Sequence, residues 1–301
     1  MHNHLSWLEA GVIGILQGVT ELFPVSSLGH SVLIPAVIGG SWARDLDVSA
    51  HASPYLAFIV GMHVATALAL VIFFWKDWLR IAGGFFSSIA RREMVTTDQR
   101  LAWLLILGTI PVAVVGLVGE HWFRTHAAKP TPTAVFLMIN GLVLLLAERL
   151  RGQGGALNSE YVDERITGPE SDKNIVKLPV IKAVTVGAAQ IAALFPGISR
   201  SGVTMVAGIF RGLDREDAAR FSFLLATPVI LLAGLLKLPE LAGSQGDGIR
   251  GQVIFGSVLA GVAAYVSVRF LTKYLANRSL TPFAYYCFAV GAACLVLFSV
   301  R

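Results

Sequence analysis

Two short stretches of this 301-residue chain bring reactive residue types together within otherwise apolar sequence. The first, QGVTELFPVSSLGH, covers residues 17–30. Gln17 and Glu21 stand four apart, hence on one helical face, and Pro24 breaks the helix directly after them. Ser26 or Ser27 then caps a second helix, and His30, three residues past Ser27, shares a face with that hydroxyl. A hydroxyl beside an imidazole and a carboxylate is the set needed for an activated nucleophile. Ser-Ser after proline, taken alone, is an N-cap and nothing more. The whole cluster gains weight if it lies within a membrane, where ionisable groups are costly and functional by default.

The second stretch, PGISRSGVT, covers residues 196–204. Gly197 sits in a turn, and Ser199, Arg200, Ser201 and Thr204 follow at a helix start. Backbone N–H groups, hydroxyls and a guanidinium gathered there suit phosphate. Arginine can grip phosphate oxygens with two N–H groups, where lysine acts only as a point charge. The competing reading is an arginine snorkelling to an interface, but Arg200 falls at a hairpin tip, far from the loop ends. His63 and Asn140, each alone in an apolar span, read as polar residues satisfied between helices, and Pro111 and Pro228 as kinks.

The elements that must carry these residues are membrane helices. Charged residues make up 14% of the chain and hydrophobic ones 55%, whereas soluble domains carry about 25% charge. A hydrocarbon core about 30 Å thick takes roughly 20 apolar residues of helix. Residues 56–75, 101–119, 133–147, 221–238, 252–268 and 282–300 meet that condition. Residues 7–23, 31–40, 180–195 and 202–210 do not; the shortest reach only about 15 Å. They pair into two re-entrant hairpins with the reactive stretches at their tips. Cys287 and Cys294 lie within one apolar stretch and read as small packing residues, not a disulfide or metal pair.

Basic residues set the orientation. Lys76, Arg80, Arg91, Arg92 and Arg100 follow one span, and Arg149, Arg151, Arg165, Lys173, Lys177 and Lys182 follow another, so both segments are expected in the cytoplasm. Stretches 39–54 and 239–250 hold one basic residue each and are expected outside. The net charge of +5 is therefore spread between spans, and nucleic acid is not an expected partner. The N-terminus MHNHLSW lacks Lys and Arg and does not read as a cleavable signal peptide. LFPVSSLGH at 22–30 and LFPGISRSG at 194–202 superpose with an offset of 172, and three spans separate the hairpins. An odd number reverses orientation, so the expected fold is an all-α polytopic membrane protein built as an inverted-topology repeat, with six full transmembrane helices and two re-entrant hairpins. Its expected parts are residues 1–150, a cytoplasmic polar loop at 151–179, and residues 180–301.

QGVTELFPVSSLGH followed by PGISRSGVT closely resembles the two signature motifs of the undecaprenyl-pyrophosphate phosphatases, also known from bacitracin resistance. The likeness runs over nearly the whole chain in motif order, spacing and hydropathy, and is weakest at 151–178. It implies a bacterial inner-membrane enzyme that removes the terminal phosphate of the C55 lipid pyrophosphate, supplying undecaprenyl phosphate for peptidoglycan synthesis, with its site open to the periplasm. It also implies a divalent cation, magnesium or calcium. By resemblance Gln17 and Glu21 fall on the Glu/Gln-x-x-x-Glu element and are candidate metal ligands, Ser27 on the nucleophile, His30 on the histidine, and Arg200 on the phosphate-binding arginine. Ser199, Ser201 and Thr204 complete the second motif, with Gly197 and Ser26 beside it. Glutamine at 17 removes one anionic ligand that many members carry. Glu21 is expected either to orient His30 or to bind metal. Expected partners are the lipid pyrophosphate, the bilayer and a second copy of the chain as a homodimer. The rival reading is a polyprenyl-phosphate transporter or flippase, because broken helices meeting at the midplane are also a transporter architecture.

Overall fold

A computed structural model of the protein describes residues 5–48, 54–151, 169–242 and 248–300, and among these the regular elements are all helical. α1 (Trp7–Leu22) opens on a capping box: Ser6 Oγ accepts from the Glu9 amide at 3.2 Å, and Glu9 Oε2 accepts from the Ser6 amide at 2.8 Å. It stops at Leu22 because Phe23 precedes Pro24, and the ring holds Phe23 extended (φ −63°, ψ 141°). α2 (Ser27–Ile38) and the short α3 (Gly40–Asp45) complete the first hairpin. The second hairpin breaks in the same way. α9 (Val180–Ala188), continued by a 3₁₀ segment (Ala189–Leu194), ends at Phe195 before Pro196, and α10 (Arg200–Phe210) follows. At about 1.5 Å per residue, none of these four limbs crosses a bilayer.

The spans are α4 (Pro54–Phe73), α6 (Thr97–Trp122), α7 (Pro130–Arg151), α11 (Arg215–Ala242), α12 (Arg250–Asn277) and α13 (Thr281–Val300). Five of these are long and apolar enough to cross a membrane over their described residues, and the described part of α4 meets that condition only when counted with the helix after it. The chain is a multi-pass membrane protein. That following helix, α5 (Trp75–Arg91), turns 87° from α4. The expected basic loop is thus an amphipathic helix, burying Asp77, Ile81, Gly84 and Ser88 on one face and exposing Leu79, Phe86 and Ile89. Such a helix lies along a membrane surface.

The packing is reciprocal between halves: α1 lies on α12 as α9 lies on α6, α4 touches α12 as α11 touches α6, and α4–α11 and α7–α13 pair across the middle. The two hairpin contacts use the same device. Gly14 faces Gly256 on α12, and Gly187 faces Gly108 on α6, so closely that a Cβ on Gly14 or on Gly187 would overlap the facing carbonyl. Neighbouring contacts give the directions. Gly18 meets Ala260, so α1 runs parallel to α12; Phe58, Ala65 and Phe73 meet Gly256, Gly261 and Tyr265, so α4 does too. Arg100, Gly108 and Gly116 meet Leu178, Gly187 and Leu194, so α9 with its extension runs parallel to α6. α6 returns antiparallel to α4, since its start is tied to α5 by the Arg80–Asp98 ion pair. The first limbs of the two hairpins therefore run in opposite senses and enter from opposite ends of the bundle.

Of the polar segment expected at 151–179, residues 152–168 lie outside the described residues. Residues after it form α8 (Pro169–Val176), which buries Asp172 and Ile175 against the bundle. Arg220, only 1% exposed, donates to Asp172 at 2.9 Å and to Asp77 at 3.0 Å, and Arg80 joins both acids. This network fastens α5, α8 and α11 at the end of the bundle where α6 begins. Removing one partner would strand a buried charge, which is strongly destabilising.

Candidate active site

Each hairpin tip ends in a helix start, and the two tips touch. Ser26 is the N-cap of α2, accepting from the Gly29 amide at 3.2 Å, and Ser199 caps α10 by accepting from the Gly202 amide at 3.2 Å. Ser26 holds an unusual backbone for a residue with a Cβ (φ 70°, ψ 100°). Its Oγ also accepts from the Gly197 amide at 3.1 Å across the two tips. Gly197 itself sits at φ 106°, with its Cα packed on α7 so closely that a side chain would meet Phe136 and the Thr133 carbonyl. Asn140 on α7 clamps both breaks: its Nδ2 donates to the Pro24 carbonyl and its Oδ1 accepts from the Ser199 amide, each at 2.9 Å.

Glu21 is the hub of the polar groups. Its Oε2 accepts from the Ser27 hydroxyl, from Gln17 Nε2 at 3.1 Å and faces His63 Nε2 at 3.3 Å; its Oε1 accepts from Arg200 Nη2 at 3.0 Å. A carboxylate in a nearly buried site is thus matched by two basic side chains and two neutral donors. Arg200 turns only one edge toward Glu21, and among the described residues its Nη1 has no hydrogen-bond partner. A buried guanidinium edge without an acceptor is costly, and an anion would satisfy it.

A cavity of about 390 Å³ opens at this point. Glu21, Ser26, Ser27, His63, Ser199 and Arg200 form its polar end, and residues of α4, α6 and α11, including Val112, Leu117, Ile230 and Leu232, form an apolar wall. The arrangement offers a hydroxyl already donating to a carboxylate, a cation with a free edge, two helix N-termini and an apolar flank.

The structure gathers Glu21, Ser27, Ser26, Ser199 and Arg200 at the cavity and keeps the other expected residues off its lining, Gln17 and Gly197 bonding directly to Glu21 and Ser26 behind it. His30, expected on the face of the Ser27 hydroxyl, does not bond to it. His30 Nδ1 lies 2.7 Å from the Ser26 carbonyl and Nε2 lies 2.8 Å from the Tyr286 hydroxyl, outside the cavity lining. A helical side chain leans toward the helix N-terminus, which carries the imidazole onto the turn of Ser26. Ser201 and Ser199 bond each other at 3.0 Å, and Thr204 donates to the Arg200 carbonyl at 2.7 Å, so they brace the tip. Gln17 turns its NH2 group to Glu21, leaving its buried oxygen without a partner among the described residues.

The donors present do not fit a protein-held divalent cation. Both Glu21 oxygens already face basic or donor groups, and among the described residues no three His, Cys, Asp or Glu side chains converge on one point. Sequence reasoning missed His63 as a site member, although a lone histidine in an apolar span was a signal in itself. It also missed Gln190, which lines the cavity and stands six residues before Pro196, much as Gln17 stands seven before Pro24.

Fold and site together define a multi-pass helical membrane protein with a polar centre, including an arginine edge without a hydrogen-bond partner among the described residues, at the junction of two helix breaks. A family model described as "Bacitracin resistance protein BacA" matches residues 10–293, and the chain belongs to that family. It is 58% identical to an undecaprenyl-diphosphatase of Mycolicibacterium paratuberculosis and 57% identical to one of Mycobacterium avium, in both cases over the full length of each chain. An undecaprenyl-diphosphatase of Granulibacter bethesdensis is 39% identical over 96% of this chain and 95% of its own.

Proposed function

We propose that this protein is an integral-membrane phosphatase that hydrolyses undecaprenyl pyrophosphate to undecaprenyl phosphate and inorganic phosphate, returning the lipid carrier to peptidoglycan synthesis and so conferring bacitracin resistance. The observation that carries the reading is the Ser27 hydroxyl donating to Glu21 beside the open edge of Arg200, in a cavity with one polar end and one apolar wall. Phosphoryl transfer asks mainly for positioning and charge stabilisation. Ser27 Oγ bonds to the terminal phosphorus as its proton passes to Glu21 Oε2, and the anhydride P–O bond breaks to release undecaprenyl phosphate. Arg200 Nη1 and the amides at the start of α10 hold the non-bridging oxygens. The departing undecaprenyl phosphate takes the serine's proton from Glu21. Water then attacks the phosphoserine and gives a proton to Glu21, and as the Ser27 Oγ–P bond breaks to release inorganic phosphate, that proton returns to the serine oxygen.

The divalent cation implied by the resemblance is proposed to travel on the diphosphate oxygens rather than on a protein site. The basic end of the bundle is proposed to face the cytoplasm of a bacterial inner membrane, with the cavity open to the periplasm and the isoprenoid chain remaining in lipid. A homodimer remains a proposal for this chain. The opposed hairpins also suit a lipid-phosphate flippase. The test is phosphate release by protein purified in detergent, where translocation has no meaning. Multiple-turnover release of one phosphate per lipid is expected; binding without release would favour the flippase.

A further inference from the structure

We propose that His30 is a positioning residue, held by Tyr286 of α13, which fixes the backbone of Ser26 and through it the hydroxyl of Ser27. The inference rests on the reading above, in which Ser27 attacks. It starts from the hydrogen-bond roles of one imidazole. A carbonyl oxygen can only accept, so His30 Nδ1, 2.7 Å from the Ser26 carbonyl, carries a proton. In a neutral ring Nε2 is then the acceptor, and the Tyr286 hydroxyl, 2.8 Å away, is its donor. The two rings stack at 5.7 Å with an 11° angle, which sets the imidazole plane. Both nitrogens are thus engaged away from Ser27, while the Ser27 hydroxyl points to Glu21.

The group that His30 grips is one whose conformation needs holding. Ser26 combines a positive φ with bonds from every side: its carbonyl takes the His30 amide at 3.2 Å and the imidazole, and its hydroxyl takes the Gly29 and Gly197 amides. Strained backbone persists where its surroundings over-determine it. Ser27 follows directly, so a relaxed Ser26 would swing the attacking hydroxyl off Glu21. Tyr286 lies 256 residues away in sequence and reaches His30 from α13.

The experiment compares initial rates of phosphate release from undecaprenyl pyrophosphate for purified wild type, His30→Asn, His30→Ala and Tyr286→Phe, with unfolding midpoints alongside. Asparagine places an N–H close to the Nδ1 position but offers no base. His30→Asn is expected to keep kcat within about tenfold of wild type while His30→Ala loses roughly a hundredfold, and Tyr286→Phe to lower kcat about three- to tenfold with KM unchanged. A folded His30→Asn as inactive as His30→Ala would overturn the inference, since His30 would then be moving a proton or bonding phosphorus. Wild-type turnover by Tyr286→Phe would overturn it too, and that variant decides alone if the histidine variants do not fold. An inactive wild type would instead sink the phosphatase reading on which the inference rests.

Discussion

Replacing Ser26 by alanine should cost more stability than the loss of a helix cap, because its hydroxyl serves both hairpins. The Oγ accepts from the Gly29 amide at 3.2 Å within α2 and from the Gly197 amide at 3.1 Å across the tips, and Ser26 is only 4% exposed, so water does not replace it. Loss of an N-cap costs about 0.5–2 kcal/mol, and leaving a second buried N–H without an acceptor adds about 1–3 kcal/mol. Ser26→Ala should therefore lose about 1.5–3 kcal/mol, taking the lower parts of both ranges for bonds of this length. Ser26→Gly loses the same two bonds but adopts φ 70° without a Cβ penalty, so its stability should fall between alanine and wild type. Reversible unfolding in mixed micelles of increasing SDS fraction measures all three. A Ser26→Ala variant within about 0.5 kcal/mol of wild type, below the low end of the cap range, or one more stable than Ser26→Gly, would refute the reasoning.

Arg200→Lys keeps the charge but cannot hold Glu21 Oε1 with one edge and an anion with the other, so its turnover should fall to the order of Arg200→Ala; near-normal turnover would mean that charge alone suffices. Gln17→Glu sets a second carboxylate against Glu21 in place of a donated N–H; with the cation carried on the diphosphate, half-maximal activity should need the same divalent-cation concentration in a metal titration, and a lower requirement would place the cation against this pair of side chains. Single cysteines at Arg44 and Lys173, both exposed, should react with a membrane-impermeant maleimide from outside and only after permeabilisation, respectively, and the reverse pattern would invert the topology.

What was legible in the sequence was local. Phe-Pro at 23–24 and 195–196 ends a helix by backbone geometry alone, and the serine after each break caps the next helix, so hairpin tips, caps and Arg200 followed from neighbours in sequence. Opposite entry of the hairpins followed from counting spans. Partners chosen by packing were not legible. Glu21 meets His63 only because α4 lies beside α1, Asn140 reaches both breaks from α7, and Arg220 finds Asp77 and Asp172 far along the chain. The spacing of Ser27 and His30 allows a shared face, but spacing does not say which neighbour wins. The Ser26 carbonyl and a tyrosine from the last helix took both imidazole nitrogens.

The central claim is that Ser27 forms the bond to phosphorus. Its most direct test is acid quenching of purified protein within the first turnovers on substrate carrying a labelled terminal phosphate, followed by mass spectrometry of the peptide containing residues 17–30. Wild type should carry one phosphate on Ser27 at early times, and Ser27→Ala should carry none and release no phosphate, yet still bind the lipid pyrophosphate through Arg200. Sustained phosphate release by Ser27→Ala, with no phosphorylated residue at any time in wild type, would contradict the account and leave direct attack by water in its place.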